Sequence, residues 1–130
     1  MKMKFFLLIL FSFFILNSCS EPIPTGTISP ADFERAINRH KDLQLIDVRT
    51  TEEFQGGYIN GAINIDYFSE DFEVEIEKLD KSKPVAVYCG VGGRSESTLK
   101  VLQDLGYEEI YNLDRGITFW VENGLGIVKD

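Results

Sequence analysis

Residues 85–95 read Val85-Ala86-Val87-Tyr88-Cys89-Gly90-Val91-Gly92-Gly93-Arg94-Ser95, and three kinds of local structure follow one another in that stretch. Val85 to Tyr88 is short, apolar and bounded by the Lys81-Ser82-Lys83-Pro84 turn, which predicts the clearest strand in the chain. Gly90, Gly92 and Gly93 then let the backbone curl. From Arg94 to Leu105 the pattern becomes helical, with Thr98, Leu102 and Leu105 on one face and Gly106 as the cap. A strand passing through such a loop into a helix N-terminus is the usual place for a site in an open parallel sheet.

Working outward, the flanking segments repeat the alternation. Ser29-Pro30 predicts a helix start, with Ser29 as N-cap, Pro30 in the first turn and Phe33, Ala36 and Ile37 on one face. Leu43–Val48 reads as a buried strand, Thr51–Gln55 as a short helix closed by Gly56-Gly57, and Ala62–Ile65 as a further strand. From Ser69 to about Leu79 the acids lie early and the lysines late, as a helix dipole prefers. Glu109–Leu113 reads as the last strand and Ile117–Glu122 as a last helical turn or two. The fold class this predicts is α/β, a mainly parallel central sheet flanked by helices on both faces. The aromatic residues Phe33, Phe54, Phe72 and Trp120 are expected in the core.

The central loop carries the chemistry. Successive N–H groups of a glycine-rich turn point inward and form an anion-binding nest, and the helix start and Arg94 add positive potential. A cysteine at its lip is expected to keep its thiolate, the nucleophilic form, because that potential lowers the thiol's pKa. Cys89 is therefore the candidate nucleophile, with Gly90, Val91, Gly92, Gly93 and Arg94 as the candidate anion-binding set. The bland reading, a buried strand-end cysteine before a flexible turn, is outweighed by three glycines and an arginine together.

Composition narrows the function. The 130 residues allow one domain, and a net charge of −8 opposes binding to nucleic acid. Two cysteines and one histidine are too few for a disulfide framework or a structural zinc site. At the N-terminus, Lys2 and Lys4 precede an apolar run from Phe5 to Leu16, too short to span a bilayer comfortably and suited to a secretory signal. Leu16-Asn17-Ser18-Cys19 resembles the lipobox of bacterial lipoproteins, which implies cleavage before Cys19 and lipidation of its sulfur. An ordinary signal peptide is the alternative. The expected division is a signal peptide over 1–18, a lipid-anchored tether over 19–26 and the folded domain over 27–130. Such a protein is exported and held at a bacterial membrane, on its periplasmic or outer side. Ser20 rather than Asp after Cys19 favours the outer membrane where there are two.

Cys89-x-x-Gly92-x-Arg94 resembles the active-site loop of single-domain rhodaneses. Asp47-Val48-Arg49, Glu53-Phe54, Gly57-Tyr58-Ile59-x-Gly61-Ala62-Ile63-Asn64-Ile65 and Leu113-x-x-Gly116-Ile117-x-x-Trp120 resemble further landmarks of that family, in the same order. The resemblance spans roughly Thr27 to Gly124. It implies a sulfurtransferase in which Cys89 takes a sulfane sulfur from thiosulfate or a persulfide and passes it to a thiol, with no metal or organic cofactor. Asp47 and Arg49 would brace the loop; a solvated strand-end ion pair is the alternative. A protein can serve as sulfur acceptor. Tyr58 stands where the family usually has His, and Arg115 where it often has Gly, which bears on substrate preference.

Three other readings compete. Cysteine phosphatases resemble Cys-x5-Arg, usually with His before the Cys, whereas four residues separate Cys89 from Arg94 and Tyr88 precedes it. A Cys–His hydrolase has only His40 to serve as base, and His40 is expected to be a solvated residue near the end of the first helix. A non-catalytic persulfide carrier or partner-binding module of the same fold is the non-enzymatic rival. With no loop charge besides Arg94 in an acidic domain, steering of dianionic thiosulfate is expected to be weak.

Overall fold

The computed structural model describes residues 20–130; the expected signal peptide and the lipidation candidate Cys19 lie outside them. The elements are β1 (Gly26–Ile28), α1 (Pro30–Arg39), β2 (Gln44–Asp47), α2 (Thr51–Gln55), β3 (Ile63–Asn64), α3 (Phe72–Glu77), β4 (Val85–Tyr88), α4 (Gly93–Asp104), β5 (Ile110–Leu113) and α5 (Gly116–Glu122). The strands form one sheet in the order β1-β5-β4-β2-β3, every neighbouring pair parallel. This is the α/β architecture predicted above.

β4 is central, and all four of its residues are buried. Because strand side chains alternate, Ala86 and Tyr88 enter one apolar layer with Phe33, Ala36, Ile117 and Trp120 from α1 and α5. Val85, Val87 and Cys89 enter the opposite layer with Phe72, Ile76, Leu99 and Leu102 from α3 and α4. Burial on both faces is why the strand reads as a continuous apolar run rather than an alternating one. Phe33 is fully buried, with its ring edge-on to both Tyr88 and Trp120. Truncating it to alanine would cost about 3–5 kcal/mol.

Local signals set most boundaries. Ser29 Oγ accepts the Asp32 N–H at 3.2 Å and starts α1, and Thr50 Oγ1 accepts the Glu53 N–H at 3.3 Å and starts α2. Several expectations need correction. β1 was not foreseen: it is a three-residue edge strand, too short for a pattern, and it exists because β5 offers it a partner. α3 starts at Phe72 rather than Ser69, because the Ser69 and Asp66 side chains accept the Asp71 and Phe68 N–H groups and favour a turn. Packing also begins before Thr27. Ile23 is buried, and the Glu21 carbonyl accepts from Arg35 at 3.1 Å and Arg39 at 3.0 Å, so the chain touches α1 at Glu21 and the core at Ile23 while its neighbours stay exposed. Phe54 is only partly buried and stacks on Tyr58 at the surface.

Candidate active site

The Cys89–Gly92 loop leaves the carboxyl end of β4 and enters α4, which begins at Gly93. Four carbonyls at the strand end and along the loop are engaged from outside. Tyr88 O accepts from Val48 N–H at 3.0 Å, Cys89 O from Ile117 N–H at 2.9 Å, Gly90 O from Thr118 N–H at 3.2 Å, and Gly92 O from Glu96 N–H at 3.0 Å. The first turn of α5 thus holds the loop's carbonyls away from its centre. Gly92 N–H reaches Cys89 Sγ at 3.1 Å, made feasible by a left-handed φ of 111° that a side-chain-bearing residue rarely adopts.

Cys89 itself is only 1% exposed, at the floor of this cup, while Val91 at the rim is 74% exposed. Burial alone would push the thiol up. The Ser95 hydroxyl and N–H, with the Gly92 and Val91 N–H groups, outweigh that and hold the thiol below its ordinary value. The Ser95 side chain is fully buried and its hydroxyl donates to Gly92 O at 3.2 Å, while Ser95 also helps to hold the thiol low. Ser95 was missed in the sequence; its place in the first helical turn, just after Arg94, was the available signal.

Arg94 does not stand free in the cup. Its Nη1 and Nη2 donate to Glu53 Oε1 at 2.8 Å and Oε2 at 3.0 Å, and its guanidinium lies 5.7 Å from the Phe68 ring centre. Hydrogen bonding to Arg94 holds the Glu53 carboxyl down to about 2. Glu53, quoted above only as a landmark, is therefore a partner of the loop.

Asp47 and Arg49 form a buried pair, not a solvated one. Arg49 Nη2 donates to Asp47 Oδ2 at 2.6 Å and to the Gly57 carbonyl at 2.7 Å, and the Arg49 N–H reaches Asp47 Oδ1 at 2.9 Å. Asp47 sits beside Tyr88 in register, so the pair underlies the strand end from which the loop springs. The Tyr88 hydroxyl, raised mainly by burial, accepts the Ile59 N–H at 3.0 Å.

The two departures from the family pattern have structural contexts. Tyr58 exchanges two backbone hydrogen bonds with Val128, its ring stacks on Phe54 at 4.2 Å, and its hydroxyl donates to Asp130 at 2.6 Å. Arg115 has φ 56°, the left-handed conformation that explains a preference for glycine there, and its guanidinium lies 3.6 Å from the Phe119 ring centre. Two open cavities flank α5, one of about 270 Å³ beside Val91, Arg115 and Phe119, the other of about 410 Å³ beside Arg49, Glu53 and Ile127. Thr118 and Glu122 border both. His40 is not the solvated residue expected. It caps α1, half-buried, with Nε2 3.3 Å from both the Tyr111 hydroxyl and Glu109 Oε1, at the pole of the sheet opposite Cys89. No base of that kind is near the thiol.

A thiol held below its ordinary pKa, at the carboxyl edge of a five-stranded parallel sheet and ringed by amides, defines an α/β domain with a cysteine loop. The chain belongs to the rhodanese-like domain family, which it matches over residues 29–123. It is 32% identical over 82 residues to the thiosulfate sulfurtransferase GlpE of Shewanella oneidensis, covering 63% of this chain and 79% of that one. It is 35% identical over 101 residues to a tRNA uridine(34) hydroxylase of Cytophaga hutchinsonii, covering 75% of this chain but only 32% of that larger protein. The solved structure of a rhodanese-related protein from Thermoplasma volcanium superposes with a TM-score of 0.70 at 31% identity, covering 80% of this chain and 98% of the other.

Proposed function

We propose that this protein is a sulfurtransferase that carries a sulfane sulfur as a persulfide on Cys89. The observation that carries the reading is the orientation of the loop: carbonyls of Tyr88, Cys89, Gly90 and Gly92 drawn to outside donors, and the Gly92 N–H turned onto a buried sulfur. In the first step the Cys89 thiolate attacks the outer sulfur of a donor. A new S–S bond forms at Cys89 Sγ as the donor's S–S bond breaks, and the electron pair leaves with sulfite (from thiosulfate) or with a thiolate (from a persulfide). In the second step an acceptor thiolate attacks the outer sulfur and Cys89 leaves as thiolate, so no external oxidant or reductant is consumed. The outer sulfur is anionic, and the N–H groups of Gly90 to Arg94, with the Ser95 hydroxyl, are the donors available to stabilise it. Asp47 and Arg49 keep the strand end in place. Four residues separate Cys89 from Arg94, one fewer than in the Cys-x5-Arg of cysteine phosphatases, which weighs against phosphoryl transfer.

The same proposal includes export and lipidation at Cys19, with residues 1–18 removed. Loss of Lys2 and Lys4 then leaves a net charge of −10. Thiosulfate, as a dianion, is a poor match to that surface, so monoanionic donors and thiol acceptors, proteins included, are favoured. Intact mass spectrometry after incubation with donor tests the central step. The wild type should gain one sulfur atom and Cys89→Ser none; equal gain in both, or none in either, contradicts it.

A further inference from the structure

We propose that Glu53 sets donor specificity, by holding Arg94 in a closed ion pair at the loop's rim so that the site favours monoanionic sulfane donors (thiosulfonates and organic persulfides) over dianionic thiosulfate. The inference rests on the sulfur-transfer reading given above.

Arg94 is the only charged residue from Tyr88 to Ser95, and each of its terminal nitrogens donates to Glu53, at 2.8 and 3.0 Å. That carboxylate is held firmly. It occupies the third position of α2, Thr50 Oγ1 accepts its N–H at 3.3 Å, and the Thr50 hydroxyl lies 3.2 Å from Glu53 Oε1. It also lies against the loop itself, since a Cβ added to Gly90 would stand 3.3 Å from Arg94 Nη2 and 3.7 Å from Glu53 Oε2. The other charges nearby do not restore a cationic mouth. Arg49 is matched by Asp47, Glu122 borders both flanking cavities, and Arg115 lies outside the loop over the Phe119 ring, exposed to water. What the loop offers a donor is therefore dipoles and an ion pair of zero net charge, with apolar Val91 and Phe68 exposed around them. A dipolar cup stabilises a single developing charge on sulfur but compensates a second charge poorly.

The experiment compares thiosulfate with methanethiosulfonate, which delivers sulfur by the same bond exchange, releases methanesulfinate and carries one charge fewer. Glu53→Gln keeps the shape and a hydrogen bond to Arg94 while removing the negative charge. Because Coulomb energy scales with charge, a fall of about tenfold in KM for the dianion corresponds to about threefold for the monoanion, with kcat unchanged. Glu53→Asp keeps the charge but is one methylene shorter and loosens the two-point contact, so its KM ratio between the two donors should fall between those of wild type and Glu53→Gln. In the wild type itself, added salt should lower KM for thiosulfate more than for methanethiosulfonate. The proposal is overturned if Glu53→Gln moves both KM values equally, leaves the thiosulfate KM unchanged, or lowers kcat in parallel for both donors, as a purely structural brace would. Sulfur loading of the wild type is measured alongside. Loading from both donors with no shift in Glu53→Gln removes this inference alone, whereas no loading from either removes the sulfur-transfer reading and this inference with it.

Discussion

Gly116 shows how closely the loop is governed by single residues. A Cβ there would come within 2.4 Å of Gly90 O and 2.5 Å of Cys89 O, and its φ of 64° is one that glycine alone adopts freely. Gly116→Ala should therefore push the loop off the first turn of α5 and cost about 1–3 kcal/mol of stability through overpacking and backbone strain. Urea denaturation gives the stability, and sulfur loading should fall with it; full loading in a variant of unchanged stability contradicts the placement. Ser95 and Glu53 act at the same scale, yet neither was legible as a site residue in the sequence. Thr50 and Glu53 have the spacing of a helix cap, which says where α2 starts. That the same carboxylate also meets Arg94, 41 residues later, is a tertiary fact. Cys89, the glycines and Arg94 were legible because their chemistry is local to one loop.

Elements position that loop by their ends. β2 and β4 are in parallel register from Gln44↔Val85 to Asp47↔Tyr88, so the buried Asp47–Arg49 pair stands beside the last residue before the nucleophile. Removing one partner of a buried pair leaves the other charge uncompensated. Asp47→Ala should cost about 3–5 kcal/mol, read as a lowered denaturation midpoint; a change within experimental error contradicts its role as a brace. α2 was read from the sequence with both boundaries correct because Thr50 caps it and Gly56-Gly57 ends it. β4 stands at the bounds read for it, Val85–Tyr88, whereas β2 and β3 are each one residue shorter at both ends and β5 one residue shorter at its start, because Leu43, Val48, Ala62 and Ile65 continue the apolar pattern past the last ladder pair. β1 escaped notice because its three residues carry no period of their own and depend on β5.

At the scale of the molecule, parallel strands give the sheet two unlike poles. The Glu21 carbonyl is clasped by Arg35 and Arg39, the latter at the carboxyl end of α1, and β1 begins at Gly26 beside Tyr111 near the start of β5. The chain therefore enters the domain near the amino ends of the strands, and the Cys89 loop lies at their carboxyl ends. On the proposed lipid anchor at Cys19, two residues before Glu21, the loop would face away from the membrane, open to soluble donors and acceptors. Protein anchored in vesicles and protein beginning at Ser20 should then transfer sulfur to a soluble thiol protein with the same kcat/KM. A markedly slower anchored form contradicts this orientation.

The account depends on the loop holding an ionised sulfur against the penalty of burial. Titration of the Cys89 thiolate by its ultraviolet absorbance measures this directly. The shift is downward, so the thiolate should appear as pH rises through a midpoint below that of an ordinary thiol, near 8.5, and Ser95→Ala should move the midpoint up by removing a hydroxyl that helps to hold the thiol low. A wild-type midpoint at or above the ordinary value, unmoved by Ser95→Ala, contradicts the account.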